Sequence, residues 1–299
     1  MENSTPPRGV YIPLITPFTS TGEVALNALE RLAHELLDEG ATGLVALGTT
    51  AEVAALTAEE KRSVVDVVAR VCREGGAPLI VGAGSNDTAS SREALAALRR
   101  VPEAVAALTL VPYFTRPSEA GVIAHFTELA ADSPVPLVIY HIPYRTGQEL
   151  SAETLRRLAA LPGVVGVKYA IGAITASTAD LMADPPAGFA VLAGDDVLVS
   201  PLLAMGAHGG ILASAHLATA RFAELVRSWH MGDAAPARDL GHRLAVLSAA
   251  LFTEPNPTVV KGVLHARGRI PTPAVRLPLL PAGSASVSAA LGALDALGL

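Results

Sequence analysis

Eight short apolar runs, separated by stretches of helical periodicity, constrain what this chain can fold into more tightly than any other feature. They are "GVYIPLIT" (9–16), "GLVALG" (43–48), "PLIVGAG" (78–84), "AVAALTLV" (104–111), "PLVIYHI" (136–142), "GVVGVKYA" (163–170), "FAVLAG" (189–194) and "GGILASA" (209–215). Runs of this length that are apolar on both faces fit parallel strands covered on both sides. The pieces between them carry helix signals. "TAEEKRSVVDVVARVCREG" offers Thr57 as N-cap, Glu60 three residues on and Gly75 to stop the helix. "SAETLRRLAALPG" repeats the device with Ser151, Glu153 and then Pro162-Gly163. "NALERLAHELLDEG" and "PSEAGVIAHFTELAAD" space their apolar residues three and four apart.

Strands alternating with helices predict a parallel sheet, and eight such units in roughly 225 residues match a closed (β/α)8 barrel. A doubly wound open sheet is the competing architecture, but it would carry a nucleotide-binding loop. The nearest approach, "GAGSND" (82–87), lacks the third glycine and reads as an ordinary βα turn. Beyond residue 230 the strand signal stops, and three further helical segments follow, joined by proline-rich connections. The expected class is therefore α/β: a TIM barrel over residues 1–229 and a C-terminal helical domain over 230–299.

Composition narrows the function classes. Of 299 residues, 51% are hydrophobic and 17% charged, which suits a large buried core rather than disorder. A net charge of -6 gives no basic footprint for nucleic acid, so no nucleic-acid partner is expected. No apolar run approaches the about 20 residues needed to span a bilayer, and "MENSTPPRGV" has no apolar signal core. A single cysteine, Cys72, rules out an internal disulfide framework. A cytoplasmic protein without membrane association is the expectation.

Against this background one charged side chain is out of place. The chain has three lysines, Lys61, Lys168 and Lys261, and meets its other need for positive charge with arginine. Lys61 sits in a polar helix start and Lys261 follows "EPNPTVV", whereas Lys168 interrupts the apolar strand "GVVGVKYA". Barrel enzymes draw their reactive groups from strand C-termini and the loops that follow. Reading each run to its end gives Thr49 and Thr50 after the second strand and Tyr113 and Phe114 after the fourth. Tyr140, His141 and Arg145 follow on the fifth, Lys168 lies on the sixth, Gly194 ends the seventh and Ile211 lies in the eighth. Burial disfavours the charged form of an amine, and a neutral amine can add to a ketone to form a Schiff base. A Gly-Thr-Thr turn can hold a keto acid's carboxylate, and a phenol can move protons during imine formation. The competing reading of Lys168 is a structural salt bridge to a nearby carboxylate. The eight histidines show no metal-ligand spacing, so neither a metal nor a cofactor is expected.

"LGTTAE", "VPYFTRPS", "YHIPYRTG", "GVKYAIG", "AGDD", "GAHGGI" and "LFTEPNPTVVKG" occur in this order from one end of the chain to the other. Together they resemble the dihydrodipicolinate synthase / N-acetylneuraminate lyase family of pyruvate-dependent class I aldolases. The resemblance implies a (β/α)8 barrel with a C-terminal helical domain, assembled as a homotetramer or homodimer. It implies Lys168 as the Schiff-base lysine, Tyr140 as the proton-transferring phenol and Thr49 as its link to a relay. Thr50 would hold the pyruvate carboxylate, while Gly194 and Ile211 would line the pyruvate pocket. Arg145, in "YRTG", would meet the carboxylate of an incoming aldehyde, which leans towards the synthase branch. That branch condenses pyruvate with aspartate-4-semialdehyde to give 4-hydroxy-tetrahydrodipicolinate, a step in lysine biosynthesis.

The chain departs from the family pattern at several places. Phe114 stands where synthases have a tyrosine that crosses a dimer interface, so the ring is kept and the relay hydroxyl is lost. Ala51 replaces a glycine, which would restrict that loop. Tyr144 replaces a small residue, and His141 an asparagine, where it would act as a supporting hydrogen-bonding residue or a substrate contact. An aldolase or dehydratase acting on a 2-keto-3-deoxy sugar acid or another aldehyde therefore stays open as an alternative. So does a non-catalytic pyruvate-binding barrel.

Overall fold

A computed structural model describes residues 6–299. Its eight strands close into a barrel in sequence order: β1 (Gly9–Pro13), β2 (Gly43–Ala46), β3 (Leu79–Gly82), β4 (Ala104–Leu110), β5 (Leu137–His141), β6 (Val164–Tyr169), β7 (Ala190–Ala193) and β8 (Gly209–Ile211). All eight expected runs contain the strand assigned to them. By packing, the chain divides into two compact units, residues 6–8 with Ile80–Gly210 and Gly9–Leu79 with Ile211–Leu299.

The unit built around Ile80–Gly210 holds the parallel ladder from β4 to β8. Its helices are α3 (Thr88–Ala97), α4 (Glu119–Asp132), the single turn α5 (Pro143–Thr146), α6 (Ala152–Ala159), α7 (Ala176–Ala183) and α8 (Val199–Ala204). Asp87, Ser118, Ser151 and Thr175 cap α3, α4, α6 and α7, each side-chain oxygen accepting a backbone N–H that the first turn leaves free. In α6 the expected partner is displaced by one residue. Thr154, not Glu153, occupies the third position and donates its N–H to Ser151, while Glu153 adds negative charge to the first turn.

The other unit carries β1, β2, α1 (Leu26–Asp38) and α2 (Ala58–Gly75), followed by α9 (Ala215–Met231), α10 (Ala234–Leu251), α11 (Thr258–Ala266) and α12 (Ser284–Asp295). The three C-terminal helices read from the sequence are α10, α11 and α12, and α10 packs against both α9 and α12. Thr57 and Glu60 form the reciprocal capping box expected at α2. The helix stops one residue later than expected. Gly75 is its last residue, and Gly76 takes the left-handed conformation at φ 62° that ends it.

His216, at the start of α9, joins two strand ends inside this unit. Its Nε2 accepts the Ile15 N–H at 3.2 Å, just past β1, and its Nδ1–H donates to the Ala213 carbonyl at 2.8 Å, just past β8. Burial pushes its pKa down from 6.5 to about 4, so the folded chain holds it neutral. An unfolded chain protonates this imidazole near pH 6.5. The stability gained by burying it neutral is therefore complete above that pH and is lost as the pH falls towards 4. The expected slope is up to about 1.4 kcal/mol per pH unit for this one group. Urea unfolding between pH 7.5 and 4.5 should show His216→Gln with a shallower loss than the parent chain; parallel profiles would refute the assignment.

Candidate functional site

Lys168 lies near the C-terminal end of β6, with the whole strand buried. Successive side chains of a strand point to opposite faces, and Tyr169 fixes which is which: its hydroxyl meets Thr178 Oγ1 at 3.1 Å in α7, on the helix side. Lys168 therefore faces the barrel interior. Parallel register places Lys168 directly beside Tyr140 of β5. Neighbours in register share a face, and the Lys168 Nζ lies 4.2 Å from the centroid of the Tyr140 ring. Both residues are 4% exposed. Lys168 forms no ion pair or hydrogen bond among the described residues, so the salt-bridge reading fails.

Gly194, immediately after β7, leaves room that Ala170 and Lys168 share, since an added Cβ would lie 2.8 Å from Ala170 Cβ. A Cβ at this position would come within 2.9 Å of Lys168 Cγ and 3.1 Å of its Cε. Any larger residue would have to displace the lysine stem. The next residue, Asp195, accepts the Gly172 N–H at 2.6 Å, tying together the loops after β6 and β7. Burial raises its carboxyl, opposed by that hydrogen bond and by the charge of Lys168. An acid that feels the lysine without pairing to it was not identified from the sequence, although "AGDD" marks its position.

His141 points the other way from Tyr140. It is fully buried, its ring lies 5.9 Å from that of Tyr169, and its Nε2 accepts the Leu150 N–H at 3.4 Å. Burial pushes its pKa down to about 4. It thus supports the loop after β5 from the helix side, as the hydrogen-bonding reading expects. Arg145, in α5, is exposed; its Nε donates to the Tyr144 hydroxyl at 2.9 Å. Tyr144 thereby braces the guanidinium from one side. Phe114, in the loop after β4, is 86% exposed and sits at φ 69°, a left-handed conformation that a bulky residue rarely adopts.

In the other unit, Thr49, Thr50 and Ala51 form a 3-10 turn directly after β2. Thr50 is buried, and its Oγ1 accepts a hydrogen bond from Asn256 Nδ2 at 2.9 Å. Ala51 is not among the residues of positive φ, so the alanine fits this turn without strain. Ile211 ends β8 and is fully buried. Thr49 and Thr50 thus stand at the C-terminal end of one barrel strand and Ile211 at that of another. Lys168, Tyr140 and Gly194 occupy the ends of three more.

The sequence reading missed a second buried lysine. Lys261 in α11 is 0% exposed and pairs with Glu52 Oε1 at 2.7 Å. It also donates to the Thr16 carbonyl at 2.9 Å and lies 4.1 Å from the centre of the Phe18 ring. Its apolar setting, "PTVVKGVL", was a signal of the same kind as that around Lys168. Its partners lie more than 200 residues away in sequence, which no local pattern reveals. Among the described residues, no group of three or more His, Cys, Asp or Glu side chains is placed to hold a metal ion.

Comparison with known proteins agrees with this geometry. The profile of the Dihydrodipicolinate synthetase family matches residues 6–294. The 4-hydroxy-tetrahydrodipicolinate synthase of Neisseria gonorrhoeae is 39% identical over 96% of this chain and 98% of its own. The crystal structure of the dihydrodipicolinate synthase of Thermotoga maritima superposes with a TM-score of 0.93 at 31% identity, covering 97% of this chain and 98% of the other. That of the Acinetobacter baumannii enzyme, described as chloride inhibited and complexed with pyruvate, gives 0.92 at 33% identity, covering 97% and 99%. A barrel of this topology, with an unpaired lysine on its sixth strand and these relatives along nearly its whole length, belongs to the dihydrodipicolinate synthetase family.

Proposed function

We propose that this chain is a Schiff-base lyase of the 4-hydroxy-tetrahydrodipicolinate synthase type, condensing pyruvate with aspartate-4-semialdehyde. The observation that carries the reading is Lys168, buried, uncommitted to any carboxylate and set beside the Tyr140 phenol. The synthase names of the relatives favour this condensation over reactions of keto-deoxy sugar acids.

On this reading the Lys168 amine adds to C2 of pyruvate, and loss of water leaves an iminium at that carbon. The iminium draws electrons from C3, which sheds a proton to become a nucleophilic enamine. C3 then attacks the aldehyde carbon, whose oxygen takes up a proton as the new carbon–carbon bond forms. Finally the amino group of the second substrate adds to C2 and expels the Lys168 amine, closing the ring and restoring the enzyme. Tyr140 passes protons at the imine steps, with Thr49 as its link in the relay. Thr50 and the N–H groups of its turn hold the pyruvate carboxylate, and Arg145 meets that of the aldehyde. Gly194 and Ile211 line the pyruvate site. All stand at or just beyond strand C-termini, the face on which barrel enzymes build their sites.

The reading extends to a cytoplasmic homo-oligomer, a tetramer or dimer, with residues 230–299 as a helical domain beside the barrel. An aromatic ring as exposed as Phe114, held at positive φ, suits cover by a second copy of the chain. None of the helices among the described residues is long and apolar enough to cross a membrane.

Incubation with pyruvate and borohydride should attach a reduced pyruvyl group to Lys168, and Lys168→Ala should abolish both the adduct and turnover. Mass spectrometry that finds no adduct, or finds it on another residue, would overturn the mechanism. Restoring a hydroxyl by Phe114→Tyr should raise turnover by about 100-fold or more, the lower end of the 10²- to 10⁴-fold range of acid–base groups. An unchanged rate would mean that the relay does not run through this position. Sedimentation equilibrium should report a dimer or tetramer at micromolar chain concentration; a monomer would exclude cover of Phe114 by a second copy.

A further inference from the structure

The Thr49–Ala51 turn is held by hydrogen bonds that run through Glu52, Lys261 and Thr16. Glu52, the next residue, sits at φ 55° and ψ 35°, a left-handed conformation that residues with a side chain rarely adopt. Its backbone N–H closes the turn on the Thr49 carbonyl at 3.2 Å. Both carboxylate oxygens are then anchored, Oε1 by the Lys261 ammonium at 2.7 Å and Oε2 by the backbone N–H of Arg276, also at 2.7 Å. The same Lys261 ammonium donates to the Thr16 carbonyl at 2.9 Å, and the Thr16 hydroxyl donates to the Ala51 carbonyl at 2.9 Å. A closed circuit of four residues therefore returns to the turn it started from. Asn256, just ahead of the helix that carries Lys261, reaches Thr50 Oγ1 from the same side.

We propose that Glu52 and Lys261 are positioning residues for the pyruvate carboxylate. Their buried pair forces the left-handed bend at Glu52, and that bend sets where the Thr49 and Thr50 hydroxyls and backbone N–H groups point. The proposal rests on the reading of Thr50 as the carboxylate-binding residue. It assigns the two buried lysines opposite tasks. Lys168 has its nitrogen free for covalent chemistry, whereas the Lys261 nitrogen is engaged by Glu52, Thr16 and the Phe18 ring. A buried pair of this kind is a poor source of stability against an apolar replacement, but it fixes geometry. Burial pulls the Lys261 ammonium down to about 8 and the Glu52 carboxylate opposes that pull, which fits an amine held charged by one partner.

The test compares the parent chain with Glu52→Gln, which keeps the shape and removes the charge, with Lys261→Met, and with Thr16→Val, which removes only the hydroxyl that holds Ala51. Borohydride trapping with pyruvate is run first on the parent chain. No adduct on Lys168 there would refute the Schiff-base reading itself, and with it this proposal. With the adduct formed, Glu52→Gln should raise the KM for pyruvate by about tenfold or more, and leave the KM for the aldehyde within about threefold. Thr16→Val should move the pyruvate KM in the same direction by less. Lys261→Met combined with Glu52→Gln should cost no more than the worse single change, since both act on one turn. Variants that lose thermal stability while both KM values stay at parent levels would show a purely structural pair and overturn the proposal. Equal rises in both KM values would do the same.

Discussion

Lys168 is a lysine placed where a folded chain ordinarily refuses one: inside a barrel strand, with no carboxylate to meet it. Isolated charges are costly in such a place, and natural chains pair or neutralise them. The surroundings are arranged around that choice. Parallel register between β5 and β6 sets Tyr140 beside it, Tyr169 anchors the strand's other face to α7, and position 194 carries no side chain, so that the lysine stem can lie across it. None of these features is explained by packing alone, since an aliphatic residue at 168 would satisfy the strand better. They are coherent once the nitrogen is required to bond to a ketone.

The second buried lysine makes the same point by contrast. Lys261 is more completely buried than Lys168, and yet nothing about it suggests reactivity, because its ammonium is saturated by a carboxylate, a carbonyl and an aromatic face. Burial of an amine is thus insufficient to identify a nucleophile; what matters is whether its bonding capacity is already used. Removing Glu52 would leave an uncompensated charge inside the protein, the costly outcome for a buried pair. Placing that pair next to the Thr49–Thr50 turn couples the integrity of the C-terminal helices to the shape of a loop at the barrel's open end.

Much of this was readable in the order of the residues. Each of the eight strands falls within an apolar run, because a parallel strand buried on both faces needs a continuous apolar stretch and little else. Helix starts were legible for the same local reason: Thr57 and Ser151 cap helices through atoms three residues away. The errors were also local. Glu153 was read as the reciprocal partner, but Thr154 holds the third position and the Ser151 N–H goes to Glu119; Gly75 was read as the stop where Gly76 takes the left-handed bend. Both are one-residue displacements at a helix end, a precision that pattern alone does not reach.

Sequence by itself determined the strand and helix order, the singular position of Lys168 and the family to which the motifs point. Those properties depend on residue type and spacing over short distances. Tertiary structure decided what each charge meets: that Lys168 meets an aromatic ring, that Lys261 meets Glu52 across more than 200 residues, and that Phe114 lies open on the surface. The reason is physical. Propensity and burial are averages over a residue's neighbourhood along the chain, whereas the state of an ionisable group depends on the few atoms within a hydrogen bond's reach, and the fold brings those from anywhere in the sequence.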